Sequence, residues 1–215
     1  ILEGNATTEG HFVGAGADVT VDGVTIQGFV NTYGGGIDNH GCLTLTNSLI
    51  IFNTATRGGG GGISNDVNGS LTISNTAVVS NSTDRGGGGI HTLGHLVVIN
   101  SDILSNTARY WGAGILQDRG TLDVRNSTIQ GNRCNSTGGG LVNRSAASLN
   151  QVTFSGNAAT RIGYPGAGGA ILTEGTMTLT NCTISGNVAD SGAAISNSGV
   201  RLMIASTSIV SNRVT

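Results

Sequence analysis

The sequence has little of several features common in globular domains. Its 215 residues include no lysine and one proline, with 4% aromatic and 10% charged residues, against about 25% charged on average. Scarce proline excludes collagen, and 37% hydrophobic residues with a net charge of −2 exclude disorder. No apolar run reaches the roughly 18 residues of a membrane-spanning helix. The near-neutral balance also argues against a nucleic-acid binder driven by bulk charge.

The chain does contain 37 glycines and an internal repeat. A hexad of alternating apolar and polar residues is followed by an apolar-x-x-Asn element, a glycine-rich bend and one more apolar residue. Successive hexads begin 24 to 30 residues apart, at Val19, Leu43, Leu71, Leu96, Leu122, Ala147, Met177 and Leu202. A period in this range is typical of a solenoid.

Each repeat predicts three short β-segments separated by bends, and no segment has the length or period of a helix. One such unit cannot bury its apolar face alone, whereas stacked units can. We therefore predict an all-β, right-handed parallel β-helix over residues 1–215, one domain of about eight coils with three short strands each.

Stacking turns equivalent repeat positions into columns. The predicted interior columns are Leu43/Leu71/Leu96/Leu122, Leu45/Ile73/Val98/Val124 and Ile50/Val78/Ile103/Ile129. An asparagine ladder is predicted at one bend, with each amide bonded to the next coil, at Asn47, Asn75, Asn100, Asn126 and Asn181.

Two elements of the repeat carry a family resemblance. Gly-Gly-x-Ile, at residues 34–37 and 168–171, is paired with Phe/Ile-x-x-Asn, at residues 154–157 and 184–187. This combination resembles the repeats of polymorphic outer-membrane proteins and is similar to bacterial extracellular β-helix repeat proteins. The resemblance implies a pectin-lyase-like fold and an extracellular or cell-surface location. Adhesins and polysaccharide lyases share that fold, so the resemblance leaves the activity open.

The chain starts at Ile1 and stops within a repeat, without the polar caps that solenoids normally carry. Two expectations follow: a piece of a longer solenoid, or copies that stack end to end into a filament. Of the three cysteines, Cys42 and Cys182 are predicted to lie too far apart for a disulfide. Cys182 is interpreted as a small core residue and Cys134, in a bend, as the reactive thiol.

Arginine and aromatic residues collect at the bend after the x-x-Asn element, which we call the arginine corner. It also includes Tyr33. Its predicted binding residues are Arg57, Arg85, Arg109, Tyr110, Trp111, Arg133, Arg161 and Tyr164. Such a set suits a sugar, an anion or a protein partner. A solvated corner of mutually packed side chains is the alternative.

A second bend carries titratable residues, namely Asp38, His40, Asp66, His91, His95, Asp118 and Glu174. His40 and Asp66 hold equivalent positions in adjacent coils and are expected to touch. Such a column suits metal binding or proton transfer, but no motif fixes its spacing. The interpretation favoured is polar surface, with no metal and no cofactor.

The outward strand positions favour assembly over catalysis. Asp123 and Arg125 stand alone in one coil and are expected to pair, and no two neighbouring coils carry the paired carboxylates of a glycosidase. An apolar assembly patch is predicted at Leu49, Ile51, Val79, Val97, Ile99 and Leu104. A contiguous apolar patch usually marks a contact surface.

The leading hypothesis is thus a non-catalytic extracellular structural or adhesive β-solenoid. Its expected partners are copies of itself, in a filament or side by side, and a glycan or cell-surface partner at the arginine corner. Nucleic acid and membrane insertion are not expected. The alternative is a polysaccharide lyase or hydrolase that uses Asp123, Arg125 or the histidine and aspartate bend.

Overall fold

The computed structural model describes residues 2–4, 10–160 and 165–215. Within these residues the chain forms only short parallel strands, each hydrogen-bonded to the equivalent strand one coil away. The strands stack into four sheets of eight or nine strands. The predicted all-β parallel solenoid of about eight coils is therefore confirmed.

Sheets 1 and 2 follow one another along each coil and contain the hexads and the apolar-x-x-Asn elements. The strands of sheet 1 are Asp18–Asp22, Cys42–Thr46, Ser70–Ser74, His95–Ile99, Thr121–Arg125, Ala146–Asn150, Thr176–Thr180 and Arg201–Ala205. The strands of sheet 2 are Leu2–Glu3, Thr25–Gln27, Leu49–Ile51, Ala77–Val79, Asp102–Leu104, Thr128–Gln130, Thr153–Ser155, Thr183–Ser185 and Ser208–Val210.

Sheets 3 and 4 lie on either side of the glycine-rich bend. The strands of sheet 3 are Val30–Asn31, Thr54–Ala55, Ser82–Thr83, Thr107–Ala108, Arg133–Cys134, Ala158–Ala159, Val188–Ala189 and Arg213–Val214. The strands of sheet 4 are His11–Val13, Ile37–Asn39, Ile63–Asn65, Ile90–Thr92, Ile115–Gln117, Leu141–Asn143, Ile171–Thr173 and Ile195–Asn197. Sheet 3 is additional to the three predicted strands, because two residues are too few to show alternation.

The core follows the predicted columns. Leu43, Leu71, Leu96 and Leu122 pair in register along sheet 1 and are at most 2% exposed. The columns that begin at Leu45 and Ile50 are likewise buried. Alternation along each strand sends one set of side chains inward and the other to the surface, so the outward positions are free to carry function.

The predicted asparagine ladder is confirmed at one step, where Asn75 donates to Asn47 over 3.4 Å, but this column lies on the surface and is not the internal ladder. The residues aligned with Asn47 are exposed and have φ angles between 48° and 55°, at Asn47, Asn75, Asn100, Asn126 and Asn181. Asparagine tolerates this left-handed conformation better than most residues. These asparagines therefore shape the turn between sheets 1 and 2.

The internal ladder is formed instead by the asparagine of each x-x-Asn element, from Asn53 to Asn212. In each step one amide nitrogen donates to the side-chain oxygen of the next coil, over 3.0 Å from Asn53 to Asn81 and 3.1 Å from Asn81 to Asn106. The same nitrogen also donates to a strand carbonyl, such as that of Ile50 at 2.9 Å from Asn81. Each buried amide is thus satisfied by the coil on either side.

Glycine lets adjacent coils approach closely at the bend between sheets 3 and 4. A Cβ atom on Gly88 would lie 2.4 Å from the carbonyl oxygen of Thr107 and 2.5 Å from that of Ala113. Any side chain here would therefore push the next coil away.

The cysteines differ from expectation at one position. Cys182 is 2% exposed, as predicted for a core residue. Cys134, predicted to be the reactive thiol, is 3% exposed on the inward side of sheet 3, and burial raises the pKa of its thiol to about 11. The assignment to Cys134 was wrong because the two-residue strand went unrecognised. The exposed thiol is Cys42.

Candidate functional site

A groove of about 410 Å³ lies between the glycine-rich bend and the outward face of sheet 4. It joins two sets of residues that the sequence places at separate bends. From the arginine corner it takes Tyr33, Arg57, Arg85 and Trp111. From the histidine and aspartate bend it takes Asp38, His40, Asp66, His91 and Asp118, and the lining further includes Ser64, Leu93, Leu116 and Arg144.

Glycine residues keep the bend side of the groove free of side chains. A Cβ atom on Gly86 would lie 2.7 Å from Cδ2 of Leu116, and one on Gly59 would lie 3.2 Å from the hydroxyl of Ser64. Side chains at these positions would therefore occupy the groove. The glycine run thus creates the cavity as well as allowing close stacking.

The floor of the groove changes from polar to apolar along the solenoid. Asp38, Ser64 and His91 are paired in register on successive strands of sheet 4, followed by Leu116. Leu116, Val142 and Leu172 point outward yet are only 4%, 0% and 7% exposed, because they form a second small core against Trp111. The groove therefore ends at Trp111 and Leu116.

Trp111 and Leu116 are backed by a network of polar side chains that spans four coils. The guanidinium carbon of Arg144 lies 5.5 Å from the centre of the Trp111 ring, and its Nη1 is 2.7 Å from Oδ1 of Asp118. Arg144 also donates from Nε to Glu174 over 2.9 Å, and Nε2 of His91 lies 2.9 Å from Oδ2 of Asp118.

This network of polar side chains also keeps Asp118 ionised. Burial alone would raise the pKa of Asp118, but the bonds and charges of His91 and Arg144 outweigh burial and lower it. Asp118 is therefore held as a carboxylate, and its negative charge is paired with Arg144 and His91 within the wall of the groove.

His40 lies between two carboxylates at the other end of the groove. Its Nδ1 is 2.8 Å from Oδ2 of Asp66 and its Nε2 is 3.3 Å from Oδ2 of Asp38. The expected contact between His40 and Asp66 is confirmed. Across the described residues no three histidine, cysteine or acidic side chains are arranged to hold a metal ion. His95 lies elsewhere, on sheet 1, with Nδ1 2.8 Å from Thr121 Oγ1.

Arg57 and Arg85 are the groove cations that remain uncommitted. In the part of the chain that the structure describes, neither forms an ion pair, whereas Arg144 forms two. Ala55 and Thr83 pair in register on sheet 3. Arg57 and Arg85 each follow one of them by two residues, so the two arginines lie in adjacent coils. The Arg85 side chain extends over Gly58, with Cδ 3.2 Å from where a Cβ would stand.

The other predicted members of the arginine corner divide into three groups. Arg109 lies over the ring of Tyr110 at 5.4 Å, and both line a second depression, which shares Tyr33, Arg57, Arg85 and Trp111 with the groove. Arg133 is exposed on sheet 3, paired with Thr107, and does not line the groove. Arg161 and Tyr164 lie outside the described residues.

Arg144 is the charged groove residue that sequence reasoning missed, alongside Ser64, Leu93 and Leu116. Leu93, Asp118 and Arg144 occupy equivalent positions in three successive coils, directly after the strands of sheet 4. The repeat alignment could have revealed this opposite-charge pair, as it did for His40 and Asp66. The contact between Arg144 and Trp111 could not be found in this way, because it joins two different corners of the coil.

The predicted assembly patch and the isolated pair of charges both lie on outward strand faces. Val79 pairs in register with Ile51 and Leu104 on sheet 2, while Val97 and Ile99 lie on sheet 1. All six patch residues, Leu49 included, are half-buried. On the coil after Ile99, Arg125 donates from Nε to Asp123 over 3.0 Å, so these two residues pair as predicted.

Comparison with known proteins finds one family model that matches a short part of the chain. Residues 151–174 match the Chlamydia polymorphic membrane protein repeat. This match contains Phe154 to Asn157 and Gly168 to Ile171, so it supports the resemblance drawn from those elements. With the parallel solenoid, it fits a β-helix repeat protein similar to the polymorphic membrane proteins. No curated protein and no solved structure matches the chain significantly.

Among the described residues, no helix has the length and apolar character needed to cross a bilayer.

Proposed function

We propose that this protein is a surface-exposed, non-catalytic β-solenoid that binds an acidic glycan in the groove. The observation that carries the proposal is that the aspartates of the groove are paired with other side chains, whereas two of its arginines form no ion pair. Asp38, Asp66 and Asp118 contact His40, His91 or Arg144, whereas Arg57 and Arg85 make no ion pair with any described residue. A guanidinium that is free in a cleft favours carboxylate, sulfate or phosphate groups.

The aromatic residues support a sugar as the body of the ligand. Trp111 and Tyr33 line the groove beside the two arginines, and Tyr33 is 55% exposed. Aromatic rings beside charged groups offer an apolar face to a ligand that is polar at its edges. A sugar ring with one acidic substituent has this character.

A surface location and an adhesive role rest on the match to a repeat of polymorphic membrane proteins. In this proposal the solenoid presents the groove to glycans outside the cell. Its rigid column of coils holds the groove residues on backbone that is hydrogen-bonded on both sides, which lowers the entropic cost of binding.

Binding is tested by measuring affinity for acidic and neutral oligosaccharides by calorimetry. The double variant Arg57→Gln, Arg85→Gln is expected to lose at least about tenfold in affinity, since it removes two charge-assisted contacts. The matched control is Arg201→Gln, Arg213→Gln, which removes the same charge at exposed positions outside the groove. Equal affinity in the two double variants, or no acidic glycan bound, would contradict the proposal.

A second candidate function is a polysaccharide lyase or hydrolase that uses the same groove. The observation that favours it is the presence of two histidine–carboxylate contacts, His40 with Asp66 and His91 with Asp118. A histidine held by a carboxylate is the usual form of a general base. Incubation with acidic polysaccharides separates the candidates: new reducing ends or unsaturated products, lost in His91→Gln, would establish an enzyme.

Self-assembly through the predicted patch is a further part of the proposal. Val97 and Ile99 stand between polar outward residues, namely Thr72 and Ser74 before them and Asp123 and Arg125 after them. Replacing Val97 and Ile99 by threonine keeps the β-branch and removes the apolar surface. Sedimentation that shows the same mass for this variant and the original protein would argue against lateral assembly. End-to-end assembly stays a prediction.

A further inference from the structure

We infer that the groove takes the end of a glycan chain, with one acidic sugar at the terminus and neutral sugars behind it. This inference rests on the proposed function and adds the class and the direction of the ligand. It follows from the closure of one end of the groove and from the order of charges along the floor.

The groove is closed at the coil that carries Trp111. From this coil onward the outward column of sheet 4 is filled by Leu116, Val142 and Leu172, which are covered and nearly inaccessible. A sugar chain that entered along the floor would meet the indole ring and the leucine side chain. It could not continue along the solenoid axis.

The closing residue is firmly held. The Trp111 backbone forms parallel bridges to Gly86 on one side and to Thr137 on the other. Its ring packs on the outer apolar cluster and lies against Arg144, which Asp118 and Glu174 hold in place. Moving the ring aside would expose the apolar cluster and break these contacts, so Trp111 acts as a fixed wall.

The two free arginines place the negative charge next to this wall. Arg57 and Arg85 belong to the two coils that precede Trp111. Equivalent positions in adjacent coils are about 4.8 Å apart, so the two guanidinium groups suit one shared carboxylate rather than a row of charges. The acidic group of the ligand is therefore expected on its terminal sugar.

Further from the wall, the floor disfavours more negative charge. His40 contacts two carboxylates, that of Asp66 in the coil of Arg57 and that of Asp38 one coil further from the wall. A second acidic sugar at this place would meet net negative charge, while neutral hydroxyl groups have carboxylate and imidazole partners for hydrogen bonds. The neutral part of the chain is therefore expected over His40.

The experiment compares four probes, each titrated directly and then in competition with labelled lactose capped with sialic acid: lactose, lactose capped with sialic acid, lactose capped with glucuronic acid, and polygalacturonate. At least one capped lactose is expected to bind about tenfold or more tightly than lactose. Polygalacturonate chains of two lengths are compared at equal concentrations of sugar residues. Chains about ten times longer are expected to compete about tenfold less, since they offer about a tenth as many ends.

The outcomes separate this inference from the proposed function. If long and short polygalacturonate compete equally per sugar residue and more strongly than both capped lactoses, the groove binds the interior of an acidic chain. The terminal-sugar inference is then overturned, while acidic glycan binding stands. If no acidic probe competes, both proposals fall. The expected pattern, abolished by Arg57→Gln with Arg85→Gln and kept by Arg201→Gln with Arg213→Gln, supports both.

Discussion

The guanidinium of Arg144 lies 5.5 Å from the centre of the Trp111 ring, although the two residues belong to different coils and different corners. Arg144 comes from the bend after sheet 4, and Trp111 comes from the bend before it. Trp111 packs on the cluster of Leu116, Val142 and Leu172 on the outward face of sheet 4. The solenoid thus has one core inside its coils and a smaller one outside.

Replacing Trp111 with alanine tests this outer core. We expect the free energy of unfolding to fall by about 2 kcal/mol, less than the roughly 3–5 kcal/mol for a fully buried tryptophan, because Trp111 is only half-buried. Denaturant unfolding measures the change. Tyr33→Ala is the control, since Tyr33 is 55% exposed and its loss is expected to cost less than about 0.5 kcal/mol. An equal effect of both changes would contradict a structural role for the outer core.

The two asparagine columns are expected to differ in how strongly the protein depends on them. Asn106 accepts from the backbone nitrogen and the amide of Asn81 at 2.9 and 3.1 Å and donates to Val78 and Asn132. Asn106→Ala leaves several of these buried groups unpaired, which is expected to cost at least about 3 kcal/mol. Thermal unfolding measures this loss.

The exposed counterpart, Asn100, has a φ of 48° and serves the turn. Asn100→Ala is expected to cost about 1 kcal/mol, from the penalty for an alanine in the left-handed region, and Asn100→Gly is expected to cost less. If Asn100→Ala destabilised the protein as strongly as Asn106→Ala, the assignment of the ladder would be wrong.

The repeat determines which residues share a column, and columns were therefore predictable. Leu43 and Leu71 pair as expected, and so do His40 and Asp66. Which of two asparagine columns points inward was not predictable from spacing alone. That choice depends on the backbone conformation of each turn. Asn47 has a positive φ of 50°, whereas Asn53 does not have a positive φ.

The groove was less accessible to sequence reasoning, because it forms between corners of the coil rather than along one. Arg57 and His91 were assigned to separate surfaces, yet both line the same cavity. Their approach depends on Gly59 and Gly86, whose missing side chains leave the space open. A sequence marks these positions only as part of a glycine run.

Acid should weaken the wall of the groove through Asp118. Its folded pKa is lowered below the unfolded value of about 3.9, chiefly because the bonds to His91 and Arg144 outweigh burial. The stabilisation is therefore complete above about pH 4 and is lost as the pH falls through the folded pKa. We expect Asp118→Asn to cost about 1–2 kcal/mol at pH 7 and much less at low pH.

Denaturant unfolding at several pH values checks this prediction. Asp102→Asn is the control, because Asp102 is exposed on sheet 2 and has no side-chain partner among the described residues. A difference between Asp118→Asn and the original protein that stayed constant with pH would show that ionisation of Asp118 is not the cause.

The three thiols are expected to react at very different rates. Cys42 is exposed, Cys134 and Cys182 are buried, and burial raises the pKa of Cys134 to about 11. Since the thiolate is the reactive species, Cys134 remains almost entirely in the unreactive thiol form near pH 8. An aromatic disulfide reagent should therefore label one thiol rapidly in the folded protein and all three only in denaturant. Cys42→Ser should remove the rapid phase, whereas Cys134→Ser should leave it intact; rapid labelling that survives Cys42→Ser would contradict the burial of the other two.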